Sequence, residues 1–464
     1  MPATLSVWLL ASIVAVAVGI VMAVRRGPHV GVGAAAAIGL LAPNWAYLQW
    51  GLLEFDVKLT AVAVMLLAYC VHPRGKLRFP VTFVDVVITA IFVTHLVSEA
   101  FVGDLDGGGV LRAFGEWYAP FLAGRGLGLY RGGLSAIAPW FAVATIVLAA
   151  GAWYESLTNV NPWEALFAPV DDLVDRLREA RYGFLYRAAG PTRHPIFLAI
   201  VFLLMTPWAV MTAERHAQHW RIIGWVALAC VPLGVVSTVS RGPLAALALG
   251  GIVWTLIRFE RQRIWIGGAV VATALGLVAV GDRAADWISQ TDSVRGKGEL
   301  VVIDGQSRTY TPTMNRVLVW EIYAPLVGRG GPLGYGTDRV SSFPPDLPLP
   351  VDGRSAEILG IVDNSYLLFG LRFGWVGLAL LVTLLAGAVV TAVRLRASAG
   401  MVAYPFGAVR FEALAAVLTA VAAQMLLVFC TYEFVFWLLM TVGVVSGSES
   451  LRRRMVRGDD VDSD

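Results

Sequence analysis

A few charged side chains stand between long apolar runs in this sequence, and their types define the chemistry open to it. In Ser237-Thr-Val-Ser-Arg-Gly-Pro243, Arg241 lies between two such runs. A charge there costs at least a few kcal/mol unless it snorkels to headgroups or meets an anion. Its planar fork suits the oxygens of a phosphate. Three further groups fall on the same side of the membrane under the topology derived below: Arg187 with Arg193-His194-Pro195, Arg316 with Glu321, and Asp363-Asn364. Together they offer cations for an oxyanion and a carboxylate or imidazole able to take a proton.

Each of these residues also has a plainer reading. Arg241 can snorkel at a tight turn, and Arg316 can sit on a solvated helix face. His194, before a proline, suits a helix start. Asp363 suits an N-cap, where the helix dipole would lower its pKa. Gly328-Arg-Gly-Gly-Pro-Leu-Gly334 echoes a phosphate-binding loop but lacks the preceding strand and the following Lys-Ser/Thr, so it is assigned to backbone turns. Asp85, His95 and Glu433, in or beside apolar runs, are expected to hydrogen-bond between helices.

The elements that must position these residues are membrane helices. The chain has 464 residues, of which 57% are hydrophobic and only 15% charged, against about 25% charged in soluble proteins. Its mean hydropathy is +0.69. Sixteen tryptophans suit interfacial anchoring. A net charge of +3 gives no footing for a nucleic-acid partner. Three cysteines inside apolar runs and six histidines without an HExxH pattern predict neither disulfide, metal nor cofactor.

Counting apolar runs gives an all-α polytopic protein of about 12–13 crossings, each of about 20 residues. The run from His29 is short, and the third ends in the basic turn His72–Arg78. Under this count the concentrated basic turns share one side, taken as cytoplasmic. The N-terminus is then expected outside and the C-terminus inside. Residues 1–281 hold the first helices, with an outer loop at 154–194 in which Asp171–Arg187 has helical periodicity. Residues 282–362 form a large extracytoplasmic loop, and 363–450 the last helices. Residues 451–464 form a disordered cytoplasmic tail. Within the large loop, Asn315–Glu321 reads as a short amphipathic helix that the glycines after Pro325 cannot continue. The prolines of Phe343–Pro350 exclude regular structure.

Ser240-Arg241-Gly242 at a helix head, Arg316-Val-Leu-Val-Trp320 followed by Pro325 and Gly334-Tyr-Gly336, and Asn364-Ser-Tyr-Leu367 leading into Phe373-Gly-Trp-Val-Gly377 resemble the O-antigen ligase and polysaccharide polymerase superfamily. The resemblance covers about Tyr186–Gly377. It implies a GT-C-like, metal-independent membrane glycosyltransferase without a cofactor, in a bacterial inner membrane, its active site on the extracytoplasmic face. Its partners would be polyprenyl-pyrophosphate-linked oligosaccharides, a glycan or lipid acceptor, membrane lipids and other polysaccharide-assembly proteins. Arg241 and Arg316 would hold the pyrophosphate, with Asp363 or His194 acting on the acceptor. Arg187, Arg193, Ser240, Glu321, Asn364 and Tyr366 would line the substrate site. Ligases of the family commonly place a histidine directly before the Asn-x-Tyr-Leu stretch, where this chain has Asp363; this leans toward a polymerase. A transporter of lipid-linked glycans and an assembly scaffold are the rival classes.

Overall fold

The computed structural model describes residues 3–50, 53–71, 80–130, 132–167, 180–181, 185–215, 217–259, 261–262, 264, 299–303, 305–310, 315–341, 345–349, 355, 358–398 and 408–457. The basic turn 72–78, nearly all of the apolar run 264–280, the surface segment 171–179, the start of the large loop and the tail 459–464 lie outside the described residues.

Helices stand where the other apolar runs predict them. They are α1 (Ala3–Arg26), α2 (Pro28–Gly39), α3 (Val57–Val71), α4 (Phe83–Val102), α5 (Gly107–Ala113), α6 (Ala119–Leu129), α7 (Gly133–Thr158), α8 (Pro162–Leu166), α9 (Pro195–Ala213), α10 (Gln218–Ser237) and α11 (Arg241–Arg258). A π-helical turn, Phe114–Tyr118, joins α5 to α6. After the large loop's helix α12 (Asn315–Arg329) come α13 (Ser365–Ser398), α14 (Ala408–Gln424) and α15 (Tyr432–Arg457). Among the described residues, α1, α4, α7, α9, α10, α13 and α15 are long and apolar enough to cross a membrane. With 12 residues, α2 is about 18 Å long and too short to cross alone. Leu10, Phe101, Trp225 and Trp375 are exposed although apolar, as expected where lipid is the solvent. The protein is an all-α, multi-pass membrane protein.

Polar pairs tie the bundle together. Arg125 donates from Nε and Nη2 to the two Asp85 oxygens at 2.7 and 2.8 Å, and Ser446 Oγ lies 2.7 Å from the same carboxylate. Asp85 thus joins α4, α6 and α15. Trp117 Nε1 donates to His95 Nδ1 at 2.9 Å, and the backbone N–H of Arg193 reaches Glu433 at 3.0 Å. Asp85 and His95 hold helical segments together, as the sequence predicted, whereas Glu433 ties α15 to the turn before α9. The closest helix pair is α6 with α15. A Cβ at Gly124 would fall 1.8 Å from Met440 O, and one at Gly443 would fall 2.1 Å from Phe121 O. Gly128 and Gly447 repeat this contact one turn on, so two GxxxG faces let the backbones touch.

Three findings correct the sequence reading. The helix expected over Asn315–Glu321 continues through Pro325 to Arg329, because Tyr323 and Leu326 are buried against Leu367, Leu368 and Leu371 of α13. That packing outweighs the one intrahelical bond the proline removes. The glycines instead build the next turn: Gly331, Gly334 and Gly336 all have positive φ. The end of the expected surface helix is extended, with Ala180–Arg181 paired to Leu185–Tyr186 as a small antiparallel hairpin, β3–β4. And α15 runs to Arg457, so 451–457 is helical rather than tail; Glu449 pairs with Arg452 and Arg453 there. Two further hairpins, β1–β2 (Tyr47–Trp50 with Leu53–Asp56) and β5–β6 (Glu299–Ile303 with Gln306–Tyr310), had no periodicity to announce them.

The turn after α12 docks onto a break in α13. Gly374 has φ 67° and ψ −172° inside that helix. Tyr335 N–H donates to Leu371 O at 2.8 Å, Gly336 N–H to Arg372 O at 3.1 Å, and Trp375 N–H to Gly331 O at 3.2 Å. Thr337 adds a 2.9 Å bond from its N–H to Glu99 of α4. A Cβ on Gly374 would sit 2.3 Å from the Pro332 carbonyl. Gly374→Ala is therefore expected to cost at least about 1–3 kcal/mol of backbone strain, read as a lower unfolding temperature of the detergent-solubilised protein.

Several basic residues gather at one end of the bundle. Arg26 after α1, Arg215 after α9 and Arg410 on α14 are neighbours; burial, then the like charges of Arg26 and Arg410, lower the Arg215 pKa. Arg410 pairs with Glu214 at 2.7 Å, and Arg396 with Glu412 at 3.0 Å, at this same end. The candidate site residues lie at the opposite end.

Candidate functional site

The site starts at the head of α13. Asn364 Oδ1 accepts the N–H groups of Tyr366 and Leu367 at 2.9 and 3.1 Å. Asn364 is therefore the N-cap, and the capping role considered for Asp363 belongs to its neighbour. Asp363 is left partly buried, and among the described residues no hydrogen bond reaches its carboxylate. Burial pushes its pKa from 3.8 up to about 6, against the opposing pull of Arg316. The lowered pKa expected from the helix dipole does not hold, because desolvation exceeds it. Asn364→Ala should cost the cap about 1 kcal/mol while Asn364→Asp largely keeps it, which thermal unfolding of the two variants will separate.

Arg316 lies near enough to act on the charge of Asp363 because of how α12 is patterned. Leu318, Val319, Ile322, Tyr323 and Leu326 face inward, which turns Arg316 and Trp320, four residues apart, to the open side. Glu321 is committed elsewhere, in an ion pair with Arg308 of β6 at 2.6 Å, both side chains roughly half exposed. Tyr366 donates from its hydroxyl to Ala422 O at 2.8 Å, and Ser365 Oγ lies 2.6 Å from Val428 O. Tyr366, expected at the substrate, thus ties α13 to α14, and Ser365 ties it to the α14–α15 turn.

Arg241 heads α11 from the same end. The turn before it is tight, with Val239 at φ 50°, and Arg187 Nη2 donates to Ser240 Oγ at 3.2 Å. Ala188 N–H also bonds Ser237 O at 3.2 Å. The structure thus brings Arg187 to the neighbouring pair Ser240 and Arg241, Ser240 lying 53 residues further along the chain. A Cβ on Gly242 would meet the Gln424 amide at 3.0 Å. Gln424 ends α14, and the turn after it carries Met425 O, which accepts Ser365 N–H at 2.8 Å. This relay of contacts sets Arg241, Asp363 and Arg316 at one end of the bundle. The exposed Arg241 side chain and the N-terminal end of α11 both favour an anion there.

Arg193 and His194 lie on the far flank of this end. The Arg193 guanidinium sits over the Tyr47 ring at 5.1 Å and within 3.9 Å of Glu433. His194 is the N-cap of α9: its Nδ1 accepts Ile196 N–H at 3.2 Å, the plainer of its two readings. Sequence reasoning missed Gln424 and the buried Lys58, which is held by Asp56 and by Asn44 at 2.8 Å. Neither has a spacing signal, since their partners come from other elements.

At this end of the bundle, then, the exposed Arg241 at the head of α11 and Arg316 beside the raised-pKa carboxyl of Asp363 are the candidate site of a polytopic membrane protein. Residues 225–382 match the family model described as O-antigen ligase, which supports placing the chain in the O-antigen ligase and polysaccharide polymerase superfamily. No curated protein matches the chain. The matched region holds Ser240, Arg241, Arg316, Asp363, Asn364 and Tyr366; it begins after Arg187, Arg193 and His194.

Proposed function

We propose that this protein is a membrane glycosyltransferase of cell-surface polysaccharide assembly, extending glycans carried on polyprenyl pyrophosphate. The family match supports the glycosyltransferase-type role in polysaccharide assembly. The observation that carries the mechanism is Asp363: released from capping, near Arg316, and held at a pKa of about 6. A base with that pKa is largely ionised at pH 7 yet strong enough to take a proton from an attacking hydroxyl. In the reaction, the acceptor oxygen bonds to the anomeric carbon, and the bond from that carbon to the pyrophosphate oxygen breaks. Asp363 receives the hydroxyl proton, and the electron pair leaves with polyprenyl pyrophosphate. Arg241 and Arg316 take up the charge growing on the leaving group.

The positive-inside rule assigns the end bearing Arg26, Arg215 and Arg410 to the cytoplasm, so the site faces outward, across a bacterial inner membrane. Asp363, where ligases of the superfamily commonly carry histidine, favours polymerase over ligase. An in vitro extension assay tests this reading, using purified protein and lipid-linked repeat units. Longer glycans on the lipid carrier support it; translocation or complex formation without extension would replace it with the transporter or scaffold class.

A further inference from the structure

The π-helical turn Phe114–Tyr118 plays no part in the chemistry above. Such turns interrupt α-helices mostly at functional sites, and this one turns Glu116 and Trp117 toward α13 and the head of α15. A small half-open cavity of about 50 Å³ lies between them, lined by Glu116, Trp117, Phe369, Arg372, Thr431 and Tyr432. The GxxxG contact between α6 and α15 sets the spacing of its two walls. Its polar members are held firmly. Arg112 Nε donates to Glu116 at 2.9 Å, Trp117 Nε1 to His95 at 2.9 Å, and Arg372 Nη2 to Val340 O at 3.3 Å.

Three other atoms of the lining are not satisfied. Arg372 Nε, Thr431 Oγ1 and Tyr432 Oη are buried and have no hydrogen-bond partner among the described residues. Leaving buried donors unpaired is costly, and each such group calls for an explanation. Beside them stand aromatic surfaces: Trp117 packs edge-on to Phe369 at 5.3 Å, and Phe369 to Phe373 at 4.8 Å. A ligand that satisfies both needs apolar C–H faces and several hydroxyls at its edge, the chemistry of a pyranose ring. The cavity lies near the candidate site: the turn whose Val428 O accepts the Ser365 hydroxyl at 2.6 Å, two residues after Asp363, carries Cys430 and Thr431 of the lining.

We propose that this cavity is a sugar subsite that receives the hydroxyl-bearing edge of one pyranose unit of the glycan while Asp363 and the arginines act on a neighbouring bond. The proposal rests on the glycosyltransferase reading. Its test removes only the unpartnered hydroxyls, in the double variant Thr431→Val, Tyr432→Phe, which keeps the ring and volume of each side chain. Purified protein in nanodiscs is titrated with methyl glycosides of hexoses and N-acetylhexosamines, binding being read by saturation-transfer NMR. Wild type is expected to bind at least one in the millimolar range, and the variant to bind it about 5-fold or more weakly, with an unfolding temperature equal or higher. In the extension assay the same variant should raise KM with kcat largely kept. Wild-type glycoside affinity in the variant, or no glycoside bound by wild type, overturns the subsite. Extension with wild-type KM in the variant would do the same while leaving the transferase reading intact. Glycoside binding that depends on Tyr432, in a protein that never extends a glycan, keeps the subsite and removes the transferase reading.

Discussion

Asp363→Asn is expected to lower glycan transfer by about 10²-fold or more, the usual loss when a general base is removed, with the fold intact. The fold survives because Asn364, not Asp363, caps α13, so the substitution leaves that helix start unchanged. Stability gives a second, independent reading. The folded protein holds the Asp363 proton up to about pH 6, whereas an unfolded chain releases it near 3.8. Between those values the folded state binds more protons, so Asp363 subtracts stability as pH rises through the window, and the deficit is complete above it. Asparagine carries no such charge. The variant should therefore unfold at a higher temperature than wild type at pH 7 and at about the same temperature at pH 4. Gain of stability with loss of activity marks a functional group kept at a structural cost.

Arg241→Lys and Arg316→Lys are expected to reduce transfer by about 10- to 100-fold each. Hydrogen bonds to charged groups contribute about 1.5–3 kcal/mol, and a lysine point charge does not reproduce the two-pronged contact with a phosphate. If both arginines hold one pyrophosphate, their effects will not add: the double variant should lose less than the product of the single losses. Strict multiplicativity in the extension assay would instead place the two guanidinium groups on separate ligands. Arg187, donating to Ser240 beside Arg241, should show a smaller effect through the position of that turn.

The helices were legible because lipid demands long apolar runs. That Asp85, His95 and Glu433 would take partners was legible for the same reason: a charge in that setting needs one. The identity of each partner was not, since Arg125, Trp117 and the Arg193 backbone come from elsewhere in the chain. Local rules failed where tertiary packing opposed them. Proline and glycine argued for ending α12 before Pro325, and buried Tyr323 and Leu326 carried it to Arg329. The dipole argued for an acidic Asp363, and burial raised its pKa. Two neighbouring residues, Asp363 and Asn364, both suited the cap, and only geometry decided between them. The paired glycines Gly124/Gly128 and Gly443/Gly447 were visible in the sequence as two GxxxG spacings, but nothing short of the fold shows that they face each other.

The central claim, that Asp363 takes the acceptor proton, is tested most directly by the pH dependence of glycan extension at saturating lipid-linked donor. A base must be ionised to act, so the wild-type rate should rise about tenfold per pH unit below pH 6 and level off above it. The profile of Asp363→Asn should be low and lack that inflection. A wild-type rate that is flat from pH 5 to 8, or the same inflection surviving in Asp363→Asn, would contradict the account.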